Sequence, residues 1–552
     1  MIVVLIVSVF YGTWSIVKSD NVSKPFRWPE LDSKVVSPQQ IGVSSIEGDL
    51  HSTGGPFLTD RTGRIVILHG VNAVYKFPPY ELYPDPGKAW NFSVQDAALM
   101  SKLGFNVVRL GILWKGLEPG TAPANDPTIC SPGKPTDPHQ FNQSILDRYL
   151  GHLKQTIELL GRYHIYSLID MHQDVYSEMF DGEGAPNWAV CTGDVPIIKA
   201  TGRWSNNYAM AAPDVAYSHF WNNDVVGNLQ GEFDRIWHDV AAYFSNDPWV
   251  LGYDPFNEPF STRLVSAGDE QFDSQLECFY AGRAMPMIPL HGTPAITCPQ
   301  NDPTKGVIQQ IENGDPNHLV FYEPDIFARH GATNFVGPMD LPRLVFNIHI
   351  YCSHRSGTTG NPTDLSACEN QEFNSMAIRS EDRPELSSPE QLGGPAWFMS
   401  EFGATSNTSL LGTLTADADY NLLGWTYWSW KFYNDPTGSA DEGLLYSSGK
   451  LKPTASDLSR TYPQAIAGQP STVSFNPSTS IFYLSYIPNQ RIDTPTVIFV
   501  PLDIHYPNGY CSVTKGAKVI SKTNSQYLDI RNNPKSRKVT VRVVPGHCTS
   551  AS

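Results

Sequence analysis

The stretch Val250-Leu251-Gly252-Tyr253-Asp254-Pro255-Phe256-Asn257-Glu258-Pro259 is an apolar, strand-like run that stops at a carboxylate. Far along the chain, Trp397-Phe398-Met399-Ser400-Glu401-Phe402-Gly403 repeats the design. Cleaving an acetal near neutral pH takes one carboxyl that keeps its proton for the leaving oxygen and a second that is ionised to attack. Two strand-end glutamates facing one pocket would supply both.

Similar apolar runs recur on either side. They are Ile65 to Val71, Val107 to Ile112, Ile165 to Met171, Val250 to Phe256, Leu319 to Tyr322, Leu344 to Ile350, Ala396 to Ser400 and Leu422 to Trp428, eight in all. Helical patterns lie between them at Val94 to Leu103, Ser144 to Tyr163, Asn228 to Phe244, Gly306 to Asn313 and Ala416 to Leu423. Continuous apolar strands alternating with helices mark a parallel sheet covered on both faces. Eight such units predict an α/β fold, a (β/α)8 TIM barrel. A doubly wound sheet is the alternative, weakened because no Gly-x-Gly-x-x-Gly turn follows a strand.

In a barrel the working groups gather at the C-terminal ends of strands. Read in order, those ends offer Asn72 and Lys76, Arg109, His172 and Asp174, Asn257 and Glu258, Glu323 and Asp325, His349 and Tyr351, Glu401, and Trp428. Before the first strand, Pro56 to Asp60 and Arg64 to Leu68 flank Arg61-Thr62-Gly63, a hairpin that could plug the barrel floor. Beyond Pro453 the helical pattern gives way to short alternating strands at Thr472 to Phe475, Ser480 to Ile487, Thr496 to Val500, Gly509 to Val513 and Val539 to Val544. A small C-terminal β-sandwich domain is expected there, after a linker-like Tyr462 to Pro470, and both a sugar-binding and a structural role are open. The resulting division is a signal peptide at 1–20, a lead-in at 21–54, the barrel at 55–460 and the sandwich at 461–552.

Net charge is −16, which argues against nucleic acid as a partner. Met1 to Val17 is nearly uncharged and contains the apolar run Ile2 to Phe10. This fits a secretory signal better than a membrane span, which needs roughly 20 apolar residues, though an uncleaved anchor is the alternative. Eight cysteines fall in local twos, Cys130 with Cys191, Cys278 with Cys298, Cys352 with Cys368 and Cys511 with Cys548. Four disulfides are expected, with connectivity open. Sequons at Asn21, Asn91, Asn142 and Asn407 fit the same oxidising route, and the expected location is secreted or within an endomembrane or lysosomal lumen. Neither metal nor cofactor is expected: His349 and His354 are five apart and no His-Glu-x-x-His helix occurs.

Asn-Glu-Pro after the fourth strand, His-x-Tyr after the sixth, Ser-Glu-Phe-Gly after the seventh and Trp-Ser-Trp after the eighth resemble the retaining β-glycosidases of glycoside hydrolase family 5. The likeness spans roughly residues 55–455. Within that family, Gly70-Val71-Asn72 with Lys76 and Pro78-Pro79-Tyr80, Asp170 to Tyr176, and Gly184-Ala185-Pro186 with Trp188 look like the endoglycoceramidases and the related steryl-glucosidase and glucosylceramidase members.

The resemblance implies Glu258 as acid/base and Glu401 as nucleophile, with Lys76, Arg109, His172, Asp174, Asn257, His349, Tyr351 and Trp428 as substrate-binding residues. Phe256 and Phe260 beside Glu258, with a second carboxylate nearby, should hold its proton to higher pH. Glu323 is the rival carboxylate, because Phe321-Tyr322-Glu323-Pro324 also ends a strand. Trp188 and Trp221 are weaker cleft candidates with core packing as the default. The loops Phe77 to Tyr83 and Met179 to Trp188 are apolar enough for a lipid trough. The expected substrate is a glycosphingolipid at a membrane or micelle surface, cut between glucose and ceramide. An endo-β-glucanase or steryl β-glucosidase is the alternative, and an inactive carbohydrate-binding protein the reading from another class.

Overall fold

The computed structural model describes residues 24–28, 46, 48–52, 57–136, 141–262, 270–282, 298, 306–326, 341, 343–351 and 396–548. The expected leader at 1–20 and the pair Cys352 and Cys368 lie outside them. Eight parallel strands close a barrel: His69–Ala73, Val107–Ile112, Tyr166–Met171, Val250–Asp254, Leu319–Tyr322, Leu344–Ile350, Ala396–Gly403 and Gly424–Trp428. Nearly every residue in them is buried, which is why the runs read as continuously apolar rather than alternating.

The helices between are set by local caps. Ser93 and Asp96 form a reciprocal capping box at the start of Val94–Lys102. Asn142 caps Gln143–Gly161 and Asn407 caps Thr408–Asn421. The last of these starts eight residues before the expected Ala416, because Asn407 supplies the start signal while the intervening Ser, Thr and Gly are indifferent helix formers.

Two boundaries differ from the sequence reading, and both concern the barrel floor. The run Ile65 to Val71 divides: His69–Ala73 enters the barrel, whereas Ile65–Val66 pairs with Leu58–Thr59 on one side and Tyr462–Ile466 on the other. Asn106 makes the break, accepting the His69 N–H at 2.9 Å while donating to the Ile67 carbonyl. Tyr462 to Pro470 is correspondingly no linker. Tyr462–Ile466 is an inner strand of a seven-stranded sheet, and Gly468–Asn476 opens a four-stranded antiparallel one.

All five expected C-terminal strands form, and Tyr462–Ile466, Ala517–Val519 and Tyr527–Asn532 join them. The seven-stranded sheet combines chain from before and after the barrel. Leu58 and Val66 from the hairpin and Ala465 and Val497 from the C-terminal domain share one apolar cluster with Val107, Tyr166, Leu251, Leu319, Val345 and Ala396, residues at the starts of the barrel strands. The hairpin thus closes the floor together with the C-terminal domain. His69 stacks between Trp425 and Tyr462, with centroids at 4.2 and 3.7 Å. Its imidazole is held well below the usual histidine range, by burial first and then by Arg460.

Three disulfides, Cys130–Cys191, Cys278–Cys298 and Cys511–Cys548, join the expected neighbours. Among the described residues no helix is long and apolar enough to cross a membrane.

Candidate active site

The site is built around a guanidinium. Arg109, on the second strand and with no exposure, donates through Nη1 to Glu401 at 2.6 Å and to Asn72 at 3.3 Å. Nη2 donates to Asp170, Asp254, Asn257 and Glu323, all between 2.9 and 3.0 Å. A planar fork is the side chain that can serve several carboxylates at once. Burial pushes Asp254 well above the usual carboxylate range, with Glu323 adding to the effect and Arg109 opposing it.

The seventh strand is bulged where Glu401 sits. Its register against the sixth strand shifts between Met399 and Glu401, and against the eighth between Met399 and Phe402. A bulge re-aims the side chains that follow it. The Ser400 carbonyl released there accepts from Asn72 Nδ2 at 2.8 Å and from the Thr426 hydroxyl. Glu401 thereby faces the cleft with one oxygen on Arg109 and the other on the Tyr351 hydroxyl at 2.7 Å. Burial raises its carboxyl above the ordinary range, against His349 and Arg109.

Glu258 follows the fourth strand in a left-handed conformation, φ 45°, a position that costs a non-glycine residue energy and needs support. Glu323 gives it, accepting the Glu258 backbone N–H at 2.8 Å through one oxygen while the other meets Arg109 and His349. His349 links the three acids: Nδ1 lies 2.9 Å from Glu258 and 3.5 Å from Glu401, and Nε2 lies 3.2 Å from Glu323. Burial alone would lower its pKa, but Glu323 and Glu401, with the hydrogen bonds to Glu258 and Glu323, hold it well above the usual histidine range. One carboxylate oxygen of Glu258 and one of Glu401 lie within 4.8 Å of each other. Two carboxyls so placed can flank a single anomeric carbon.

These groups open into a cleft of about 590 Å³, lined also by His172, Asp174, Asn257, Trp428 and Glu442. His172 stacks on Trp428, with centroids at 5.1 Å and planes 13° apart, and its Nδ1 meets Asp170 at 2.8 Å. Lys76 approaches the Trp428 ring to 4.9 Å and is held by Asp174 at 2.8 Å, Glu183 at 2.6 Å and Thr437 at 2.8 Å. Burial opposes its charge, yet Asp174 and Glu183 outweigh that and keep it well above the ordinary lysine range.

Among the described residues two groups have metal-ligand spacing, His172 with Asp174 and Glu183, and Glu258 with His349 and Glu401. In the first, Lys76 already sits between Asp174 and Glu183, and in the second His349 Nδ1 lies between Glu258 and Glu401.

Of the ten expected site residues, Glu258, Glu401, His172, Asp174, Asn257, Tyr351 and Trp428 line the cleft. The other three do not. Arg109 is held against Glu401, His349 against Glu258 and Lys76 against Asp174. The rings of Phe256 and Phe260 pack among Trp221, Tyr208 and Phe220. Trp188 and Trp221 are core residues whose indole N–H groups go to the Glu118 and Phe260 carbonyls. Neither apolar loop proposed as a trough contributes to this cleft.

Sequence reading missed Glu183 and Glu442. Glu442 accepts the Trp428 indole N–H at 3.1 Å, and its carboxyl is pushed up to about 7, by burial first and Asp435 next. Its only signal was an acid a short loop beyond Trp-Ser-Trp.

A model of the cellulase domain of glycosyl hydrolase family 5 matches residues 87–434, and one of the family 5 C-terminal domain matches residues 460–543. The chain belongs to glycoside hydrolase family 5. Family 5 enzymes are glycoside hydrolases that retain anomeric configuration, in keeping with the short gap between the two carboxyls. An endoglycoceramidase of Cyanea nozakii is 27% identical over 486 residues, spanning 82% of this chain and 84% of that protein. Endo-glycoceramidase II from Rhodococcus sp., solved with ganglioside GM3, superposes with a TM-score of 0.65 at 22% identity, over 89% of this chain and 99% of that one. Sterylglucosidase 1 of Cryptococcus neoformans gives 0.63 at 14% identity, over 92% and 99%. These two structures share the fold of this family 5 chain.

Proposed function

We propose that this enzyme hydrolyses glycosphingolipids between the glucose and the ceramide, releasing the oligosaccharide intact. The observation that carries the reading is the pair of carboxyls, Glu258 and Glu401, within 4.8 Å at the base of an open cleft. Similarity to the Cyanea endoglycoceramidase along most of the chain supports the lipid substrate.

In this reading Glu258 protonates the leaving ceramide oxygen while Glu401 attacks the anomeric carbon to give a glycosyl-enzyme ester. Water, deprotonated by Glu258, then releases the sugar with retained configuration. Arg109 and Tyr351 keep the Glu401 charge in place before attack and receive it again on release. Trp428 supplies the face on which the cleaved glucose stacks, and His172 and Asp174 take its hydroxyls. Asn257, one of whose amide hydrogens goes to the Gln173 carbonyl, has the other for the 2-hydroxyl.

Three disulfides and the exposed sequons Asn142 and Asn407 support a secreted or lumenal enzyme working at a membrane or micelle surface.

Incubation with a ganglioside, a β-glucan and a steryl glucoside tests the substrate. The reading expects intact oligosaccharide and free ceramide from the ganglioside. Release from the glucan or the steryl glucoside alone would refute it.

A further inference from the structure

The segment Tyr510 to Cys548 contains eight Lys or Arg residues and one acid, Asp529, in a chain whose net charge is −16. All eight cations are exposed, and none forms an ion pair with a described residue. Those around Gly516 are also gathered in space. Gly516 turns the chain from Tyr510–Lys515, the outermost strand of the four-stranded sheet, into Ala517–Val519, the outermost strand of the seven-stranded one. Lys515 and Lys518 flank that turn. The 533–538 turn closes on it, because Asn533 donates its N–H to the Gly516 carbonyl at 3.0 Å and a Cβ at Gly516 would meet the Lys538 carbonyl at 2.2 Å.

Lysines on edge strands protect a sheet from pairing with other chains, and Lys515 and Lys518 could serve that end. Arg531 and Arg542 could not, because their strands are paired on both sides. Arg531 lies directly opposite Lys518 in register, an arrangement of like charges that costs stability. A cost of this kind, in a segment where Asp529 is the one acid among eight cations, points to an anionic partner from outside.

We propose that this basic end of the C-terminal domain binds a polyanionic polysaccharide, a sulfated or carboxylated chain. Charge complementarity carries the recognition. Stacking on sugar rings does not, because on the outward face of the four-stranded sheet Tyr483 is half-buried, with Ser474, Arg542 and Val513 in its row. An anionic bilayer fits less well: the seven-stranded sheet closes the barrel floor, whereas the cleft opens at the opposite rim. A membrane gripped at the basic end would face away from the catalytic mouth, and a flexible polyanion carries no such constraint. The inference is independent of the lipid substrate.

The experiment follows binding of the full chain to labelled heparin, with phosphatidylserine vesicles and duplex DNA as parallel arms. Binding to heparin is expected to persist at about 150 mM salt. The variant K515E/K518E/R531E/R542E should bind about tenfold or more weakly. Glutamine at the same four positions should also weaken binding, and hydrolysis of a soluble aryl glycoside should be unchanged in both. Unaltered heparin affinity in both variants, no binding at that salt, or tighter binding to vesicles or DNA than to heparin would overturn the proposal.

Discussion

Glu323 accepts the backbone N–H of Glu258 at 2.8 Å, so the carboxylate that most resembles a catalytic rival in the sequence is engaged in holding the acid in place. Its other oxygen is taken by Arg109 and His349.

Replacing Glu323 by Gln turns one of its two acceptor oxygens into a donor, so the Glu258 N–H or the Arg109 side loses its acceptor, a loss of about 1–3 kcal/mol or more. The expected outcome is a fall in kcat with KM little changed, because the backbone carrying Glu258 loses its brace while the cleft wall is untouched. The product should keep its anomeric configuration. A changed configuration would reassign Glu323 to the chemistry.

Tyr351→Phe removes the hydroxyl from Glu401 Oε2. A hydrogen bond to the charged form favours it, so its loss raises the Glu401 pKa further above the ordinary range. Turnover at neutral pH should drop about five- to thirtyfold, equivalent to 1–2 kcal/mol. The acidic limb of the pH–rate profile should move to higher pH. An unmoved limb would mean that the limb reports another group.

Lys76→Ala leaves Asp174 and Glu183 buried without their shared cation. Breaking such a pair costs about 3–5 kcal/mol of stability. With Asp174 no longer held, KM for a soluble aryl glycoside should rise about tenfold, the equivalent of 1.4 kcal/mol. Thermal melts and steady-state kinetics on the same preparation check both parts.

Glu442 gives a stability test with a defined sign. Its carboxyl is raised to about 7 in the folded chain, so the folded state binds the proton more tightly than the unfolded one. Its contribution is most favourable below the unfolded value of about 4.3 and declines as pH rises toward 7. Glu442→Gln keeps an acceptor for the Trp428 indole and removes the titration. It should therefore raise Tm at pH 8 by more than at pH 4, the gap amounting to no more than about 3 kcal/mol. Equal effects at both pH values would contradict the assignment.

The barrel and the two glutamates were legible in the sequence because both rest on local pattern: continuously apolar strands, and motifs fixed to strand ends. What the sequence hid depends on contacts between distant segments. Ile65–Val66 and His69–Ala73 form one unbroken apolar run, and only Asn106 and Tyr462–Ile466, distant in sequence, divide them. Tyr462 to Pro470 looked like a linker because its two prolines and glycine mask strand character, yet it lies against the barrel floor. Arg109 and His349 stood out as polar strand-end groups, and nothing local distinguishes a side chain that touches sugar from one that holds the side chain that does. Glu183 and Glu442 sit on loops, where an acid is ordinarily solvated; burial against Lys76 and Trp428 changes that.

The central claim is that Glu401 attacks the anomeric carbon while Glu258 handles the proton. A 2-deoxy-2-fluoro glycoside with an activated leaving group should trap the glycosyl-enzyme, and peptide mass mapping locates the ester. The account predicts a single adduct on Glu401, absent in Glu401→Gln and still formed in Glu258→Gln. An adduct on Glu258 or Glu323, or turnover of the natural substrate to the inverted anomer, would contradict it.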